Sequence, residues 1–305
     1  MSVSPFDHPL LSALTGDEEV AACFSVEADL AEMLAFERAL AEAEAEEGLV
    51  PAEAAAAIAS AAAQFSPDME ALRAGVRQDG VVVPALVRQL RHAVGPRHGE
   101  FVHFGATSQD VIDTSLALRL GRVSTILSRR LERLIAALDA LNARDGEIET
   151  MAHTRKRLAR VEEEIGVLTF GGAAGTLEKL GDAAGPVTHR LAQALGLHAL
   201  PRPRHSERDG VTAFASWLSL TTGSLGKMGQ DIALAAQSEV GEVKLASGGG
   251  SSAMPHKVNP VGAETLIALA RFNATLVSGM HQSLVHENER SGAAWTLEWM
   301  VLPQM

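Results

Sequence analysis

The 305-residue sequence predicts an all-α protein organised as a bundle of long helices. Alanine and leucine dominate while aromatic residues make up 4% of the chain, the composition of closely packed helices rather than of sheets. Three stretches repeat apolar residues every three or four positions over lengths that a simple globular helix seldom reaches. No alternation of strand and helix patterns occurs, and no Gly-x-Gly-x-x-Gly opens a helix, which argues against a nucleotide-binding sheet.

Taken in order, residues 27–49 place Leu30, Met33, Leu34, Phe36 and Leu40 at helical spacing with acids between them, and Pro51 closes this amphipathic helix. Residues 52–63 are alanine-rich and read as a second helix. Val81-Val82-Val83 before Pro84 is the one short β-like run. The first long pattern starts at 111 and extends to about 142 through Ile112, Leu116, Leu120, Val123, Leu127, Leu131, Leu134 and Leu138, with Thr107 to Asp110 ahead of it as a capping box. The second and third run from 211 to about 243 and from 263 to about 289, neither interrupted by proline. Apolar stripes of this length read as a bundle whose remaining faces are buried by other subunits, although a self-contained bundle carries the same stripes. The organisation expected is an N-terminal helical domain over 1–100 and a central long-helix bundle over 101–305.

Charge and cysteine content narrow the function. The net charge is −12, and residues 1–100 hold 17 acidic against 6 basic side chains while 101–305 hold 21 against 20. An acidic chain without a basic stripe is not expected to bind nucleic acid, whereas a local cluster of donors in the neutral part can bind a small anion. A single cysteine, Cys23, rules out an internal disulfide and a Cys-based zinc cluster, and the absence of tyrosine removes it as an acid or base. The N-terminal residues carry no secretory pattern and no apolar run is long enough for a bilayer, so a cytoplasmic location is expected.

Two segments carry chemistry on their residues alone. Gly248 to Pro260 reads Gly-Gly-Gly-Ser-Ser-Ala-Met-Pro-His-Lys-Val-Asn-Pro. Its glycines permit movement, its paired serines can pass over a bound molecule, and Lys257 and Asn259 supply a cation and an amide for an oxyanion. Glycine and serine also make solvated linkers, but a linker has no need of Met, Lys, Asn and two prolines at fixed offsets. Phe101 to Thr114 reads Phe-Val-His-Phe-Gly-Ala-Thr-Ser-Gln-Asp-Val-Ile-Asp-Thr, which sets Thr107 and Ser108 at the start of a long helix, where free N–H groups favour an anion. Helix capping alone also accounts for Thr107 and Asp110.

These segments resemble two signature regions of the fumarase/aspartase superfamily, Gly-Ser-Ser-x-Met-Pro-x-Lys-x-Asn-Pro and His-x-Gly-x-Thr-Ser-x-Asp. Gly171 to Gly181, Lys227 to Ile232 and Ser238 to Glu242 are similar to its lyase branch, and Glu287 to Trp299 resembles a segment shared by adenylosuccinate lyases and a cycloisomerase group. Asp79 to Pro84, His103 to Thr114 and Phe170 to Leu177 look most like the cycloisomerases, which lactonise 3-carboxy-cis,cis-muconate in the protocatechuate branch of the β-ketoadipate pathway.

The resemblance implies the long-helix bundle of that superfamily with its C-terminal domain absent or reduced, no metal or organic cofactor, a small anionic tricarboxylate substrate, and a homotetramer whose active sites combine several subunits. It implies Ser252 or Ser251 as the proton carrier, with His153 as second choice, and Lys257 at the developing oxyanion. His103, Thr107, Ser108, Gln109, Thr154, Arg155, Met254, Asn259 and Arg290 are implied as substrate-binding. The chain departs from the pattern at His153-Thr154-Arg155, the best counterpart of a family Thr-His, which puts arginine where many relatives carry a catalytic histidine. A shortening is expected between Arg155 and Gly171. A fumarate-releasing lyase and an inactive structural descendant are the competing readings.

Overall fold

The computed structural model describes residues 4–141, 145–246, 248–250, 253–254, 257–288 and 291–305. Two short helices, α1 (Ser12–Thr15) and α2 (Glu18–Ala21), precede α3 (Val26–Glu46), which begins where Ser25 accepts a hydrogen bond from Ala28 N at 3.1 Å. Pro51 then opens α4 (Ala52–Ala63), with the bounds the alanine run predicts. α5 (Met69–Asp79) is capped by Asp68 and stopped by Gly80 in the left-handed conformation.

The β-like run Val81 to Val83 is not a strand. Val83 begins α6 (Val83–Val94) with Pro84 in its first turn, a position where proline loses no needed hydrogen bond, and the valine side chain is buried as part of a helical core. The described residues contain no strand, only isolated bridges pairing Val167 with His198 and Gly249 with Asn259.

The long helices follow. α7 (Ser108–Ala140) has 33 residues and so spans about 50 Å at 1.5 Å per residue. α8 (Asp145–Ile165) runs back along it; sequence periodicity did not mark this helix, because its buried stripe of Met151, Thr154, Leu158 and Ile165 is narrow and set among charged residues. After α9 (Ala184–Leu195) come α10 (Asp209–Ala235) and α11 (Val261–Gln282), which pack on each other as a hairpin, and then α12 (Gly292–Val301). The second and third long patterns therefore end earlier than 243 and 289, since residues after 235 and 282 leave the helix.

Two apolar cores hold the chain together. One surrounds Phe36, Leu40, Leu86 and Leu90 and draws in Val111 and Ile112 from α7, Phe170, and Trp295 from α12. The other joins Leu120 and Leu131 to Met151, Leu158, Phe214, Trp217 and Met280. No described helix is long and apolar enough to cross a membrane.

Candidate active site

The first turn of α7 is unusual in being buried and polar. Gln109, Asp110, Asp113, Thr114 and Ser115 all lie inside. Burial of polar groups is tolerable only if they are paired, and each of the two aspartates is the hub of a network. Asp110 stands at the third helical position. Its Oδ2 accepts from Thr107 N and Gly172 N, both at 2.9 Å, and its Oδ1 accepts from Gly171 N at 2.9 Å and lies 2.7 Å from His205 Nε2. Thr107 returns the bond through its side chain, so the expected capping box forms. The carboxylate is fully engaged in holding the 103–107 turn, the 171–172 turn and His205 together.

These turns meet so closely that glycine is required. Gly172 has φ 66°, and a Cβ there would stand 2.6 Å from Gly105 O. The contact fixes the backbone that carries His103.

His103 itself has φ 62°, a conformation that costs a non-glycine residue about 1 kcal/mol or more. Its Nδ1 lies 2.6 Å from Oε1 of Glu37, a residue of α3 that is 1% exposed. Its Nε2 has no hydrogen-bond partner among the described residues. Burial works against charge on the ring, but the negative charge and hydrogen bond of Glu37, joined by Asp110, outweigh burial and the nearby Arg91 and hold His103 above the usual histidine range. Thr107 and Ser108 are half-buried beside it. Below the turn lies Glu44, fully buried with neither carboxylate oxygen hydrogen-bonded among the described residues, and burial together with the charge of Glu37 pushes it up to about 9. It is a neutral acid at pH 7.

Asp113 organises the second network. Arg208 donates to Asp113 Oδ2 at 2.7 Å and forks onto Glu298 of α12 at 2.9 and 2.5 Å, and Trp295 Nε1 donates to Asp113 Oδ1 at 3.2 Å. Gln109 donates to Asp113 at 3.0 Å and to His205 O at 2.6 Å. Gln109, expected to bind substrate, thus turns inward and spends its amide on the scaffold.

The remaining expected residues lie elsewhere. Arg155 is exposed in mid-α8 and pairs with Glu132 at 2.6 Å. Because Glu132 is 24 positions along α7 from Ser108, that pair sits about 36 Å from the capping box. His153 is exposed one position before the buried Thr154, whose hydroxyl donates to Thr150 O at 2.9 Å. The glycine-rich loop lies beyond the end of α10, a helix of 27 residues and so about 40 Å from the Arg208 end. There Gly249 and Asn259 exchange backbone hydrogen bonds of 2.9 and 2.8 Å, and Asn259 Nδ2 donates to Gly250 O at 3.4 Å. A Cβ on Gly249 would stand 2.6 Å from Val261 Cγ2, so this glycine serves close approach rather than freedom alone. Lys257 and Met254 are exposed. Ser251, Ser252 and Arg290 lie outside the described residues. A single chain therefore gathers His103, Thr107 and Ser108 at one end and Lys257, Met254 and Asn259 at the other.

Sequence reasoning missed Glu37, Glu44, His205 and Arg208. The first two had a signal: in the stripe 30, 33, 37, 40, 44 an acid twice occupies a position whose spacing calls for an apolar residue. His205 and Arg208 lie in an irregular segment without periodicity.

The chain is similar to known proteins in sequence and in fold. The family described as Lyase matches residues 17–149 and again 145–272. The 3-carboxy-cis,cis-muconate cycloisomerase of Pseudomonas aeruginosa is 40% identical over 93% of this chain and 68% of its own length, and that of Bradyrhizobium diazoefficiens is 36% identical over 97% and 72%. The crystal structure of 3-carboxy-cis,cis-muconate lactonizing enzyme from Pseudomonas putida superimposes with a TM-score of 0.88 at 35% identity, covering 97% of this chain and 72% of that one. The alignment with the Bradyrhizobium relative runs over 327 positions against 305 residues here, so that relative carries residues this chain lacks. The two stretches matched by the family overlap at 145–149, in the first part of α8.

Two predictions test these networks. Arg208→Met leaves Asp113 and Glu298 buried without their cation and lowers stability by about 3–5 kcal/mol, read from the urea midpoint. Glu44 has its folded-state pKa raised, so it destabilises the protein progressively as pH rises from the unfolded value of 4.5 toward about 9. Glu44→Gln therefore raises the melting temperature more at pH 8 than at pH 5; an equal change at both would show that Glu44 is not held neutral.

Proposed function

Because the chain belongs to the fumarase/aspartase superfamily of lyases, we propose that it lactonises 3-carboxy-cis,cis-muconate to 4-carboxymuconolactone. The observation that carries this reading is agreement at two levels: relatives of that name match nearly the whole chain at 36–40% identity, and the fold of one superimposes on it. In the reaction one substrate carboxylate oxygen bonds to a carbon of a double bond conjugated with a second carboxylate. The displaced electron pair moves onto that second carboxylate as an enediolate, and a proton delivered to its α-carbon restores it. The net change is one C–O bond, one C–H bond and one proton taken up.

The work falls to residues able to hold carboxylates, to stabilise the enediolate and to carry a proton. His103, Thr107 and Ser108 anchor the carboxylates that do not react, using an imidazole whose cation Glu37 favours, beside a helix N-terminus. Lys257 faces the enediolate, with Asn259 shaping the loop that carries it and Met254 lining it. Ser252 or Ser251 moves the proton, with His153 as second choice, and Thr154, Arg155 and Arg290 complete the carboxylate contacts. Gln109 acts behind them by orienting Asp113 and His205.

Since the two ends of one chain are about 40 Å apart, this site needs at least two subunits with their bundles reversed. A homotetramer supplies that arrangement, and Leu220, Leu234 and Phe272, exposed on α10 and α11, offer apolar surface for it. The active assembly takes a small tricarboxylate, binds no nucleic acid or membrane, and works in the cytoplasm.

The direct test follows loss of the conjugated-diene absorbance of 3-carboxy-cis,cis-muconate. Wild type consumes it without releasing fumarate, and Lys257→Met lowers kcat by about 100-fold or more; an unchanged rate would remove Lys257 from the chemistry. Co-assembling His103→Ala with Lys257→Met chains from equal amounts restores about a quarter of wild-type sites, because half the chains supply each intact end. No recovery on mixing would count against the composite site.

A further inference from the structure

We propose that Glu37 is the positioning residue for the substrate-anchoring end of this site: from within α3 it fixes the orientation of His103 and makes Nε2 a donor toward a substrate carboxylate. The inference rests on the lactonisation reading for its substrate but on the geometry of Glu37 and His103 for its substance.

The Nδ1 of His103 is occupied by Glu37 Oε1 at 2.6 Å. A carboxylate only accepts, so Nδ1 carries a hydrogen, and the state of Nε2 then decides what the ring offers outward. In the neutral ring Nε2 is a lone pair and repels a carboxylate. In the imidazolium it is a donor with positive charge. Burial of the ring opposes the cation and Arg91 on α6 adds to that, whereas Glu37 on α3 and Asp110 on α7 favour the cation and prevail, with Glu44 neutral and adding no charge of its own. Asp110 is committed to three backbone N–H groups and His205, which leaves Glu37, among the described residues, as the only carboxylate in hydrogen-bond contact with His103.

Burial gives this contact its force. Glu37 is 1% exposed and its Oε2 has no hydrogen-bond partner among the described residues, so the charge it presents to His103 is only weakly screened. His103 remains 14% exposed and is the group through which a charge buried in α3 reaches the surface. Its left-handed backbone, held by the Gly105–Gly172 contact, keeps the ring over Glu37.

The experiment compares wild type, Glu37→Gln and Glu37→Asp, with His103 followed by NMR of ring-labelled histidine and identified by the signal lost in His103→Gln. The Gln variant keeps the shape of Glu37, and thermal melting verifies that each variant is folded. The expected result is that His103 titrates lower in Glu37→Gln than in wild type. At pH 7.5 that variant shows a KM for 3-carboxy-cis,cis-muconate about tenfold higher with kcat within about threefold, and lowering the pH to 6 narrows the KM difference as the ring is protonated again. Glu37→Asp retains the charge and recovers part of the titration and of KM. A His103 titration unchanged by Glu37→Gln, or a loss confined to kcat and melting temperature at every pH, would overturn the assignment. An inactive wild type in which Glu37→Gln still lowers the His103 titration would sink the lactonisation reading and leave the Glu37–His103 coupling standing.

Discussion

The structure depends on one buried carboxylate. Asp110 takes three backbone N–H groups and a histidine nitrogen at the third position of the longest helix, and through them three separate stretches of chain are fixed to one another. Backbone N–H groups in turns have no ladder to satisfy them, and burying them unpaired would cost about 1–3 kcal/mol each. Asp110 meets that demand for both the 103–107 and the 171–172 turns, and in doing so is itself satisfied. The strained φ of His103 can persist because the backbone on either side of it is held by neighbours that cannot relax independently.

The second aspartate does a different task one turn later. Asp113, Arg208 and Glu298 form a nearly solvent-free ionic cluster that ties the end of the chain to the start of α7 and α10. Such clusters contribute little net stability, since the charges must first be stripped of water, but removing one member strands the others. Their value here is geometric. A forked Arg208–Glu298 contact and a Trp295–Asp113 hydrogen bond fix the place of α12 relative to the start of α7.

Much of this was legible in the sequence. The all-α class, α4 and the Thr107–Asp110 capping box follow from propensity, periodicity and capping chemistry, which are local properties. What periodicity could not resolve was polar: α8 hides a narrow stripe among charges, and Val81 to Val83 reads as a strand until Pro84 is seen to sit in the first turn of a helix. Glu37 and Glu44 were visible as misfits in an apolar stripe, but their meaning required knowing that the 103–107 turn packs over them. Gln109 shows the converse. Its place within a motif marks it as a substrate ligand, and only three dimensions reveal that it sits on the inner face of the first turn with its Nε2 donating to Asp113 and to His205 O.

The lengths of the helices carry a final consequence for how such a site can work. A rigid rod about 40 Å long places the glycine loop and the His103 turn at fixed and opposite ends, so no internal motion of a folded chain brings them together. In the composite site we propose, the cation that receives the enediolate charge and the imidazole that anchors the stable carboxylates belong to different copies, so the spacing between them depends on how subunits pack rather than on a hinge within one chain. Substrate selection under that proposed arrangement is shared: one copy holds carboxylates through His103 backed by Glu37, and another stabilises developing charge through Lys257 on a loop whose base is clipped by Gly249 and Asn259. Changes in substrate within such a framework need alter only one end, because the long helices keep the other end unchanged.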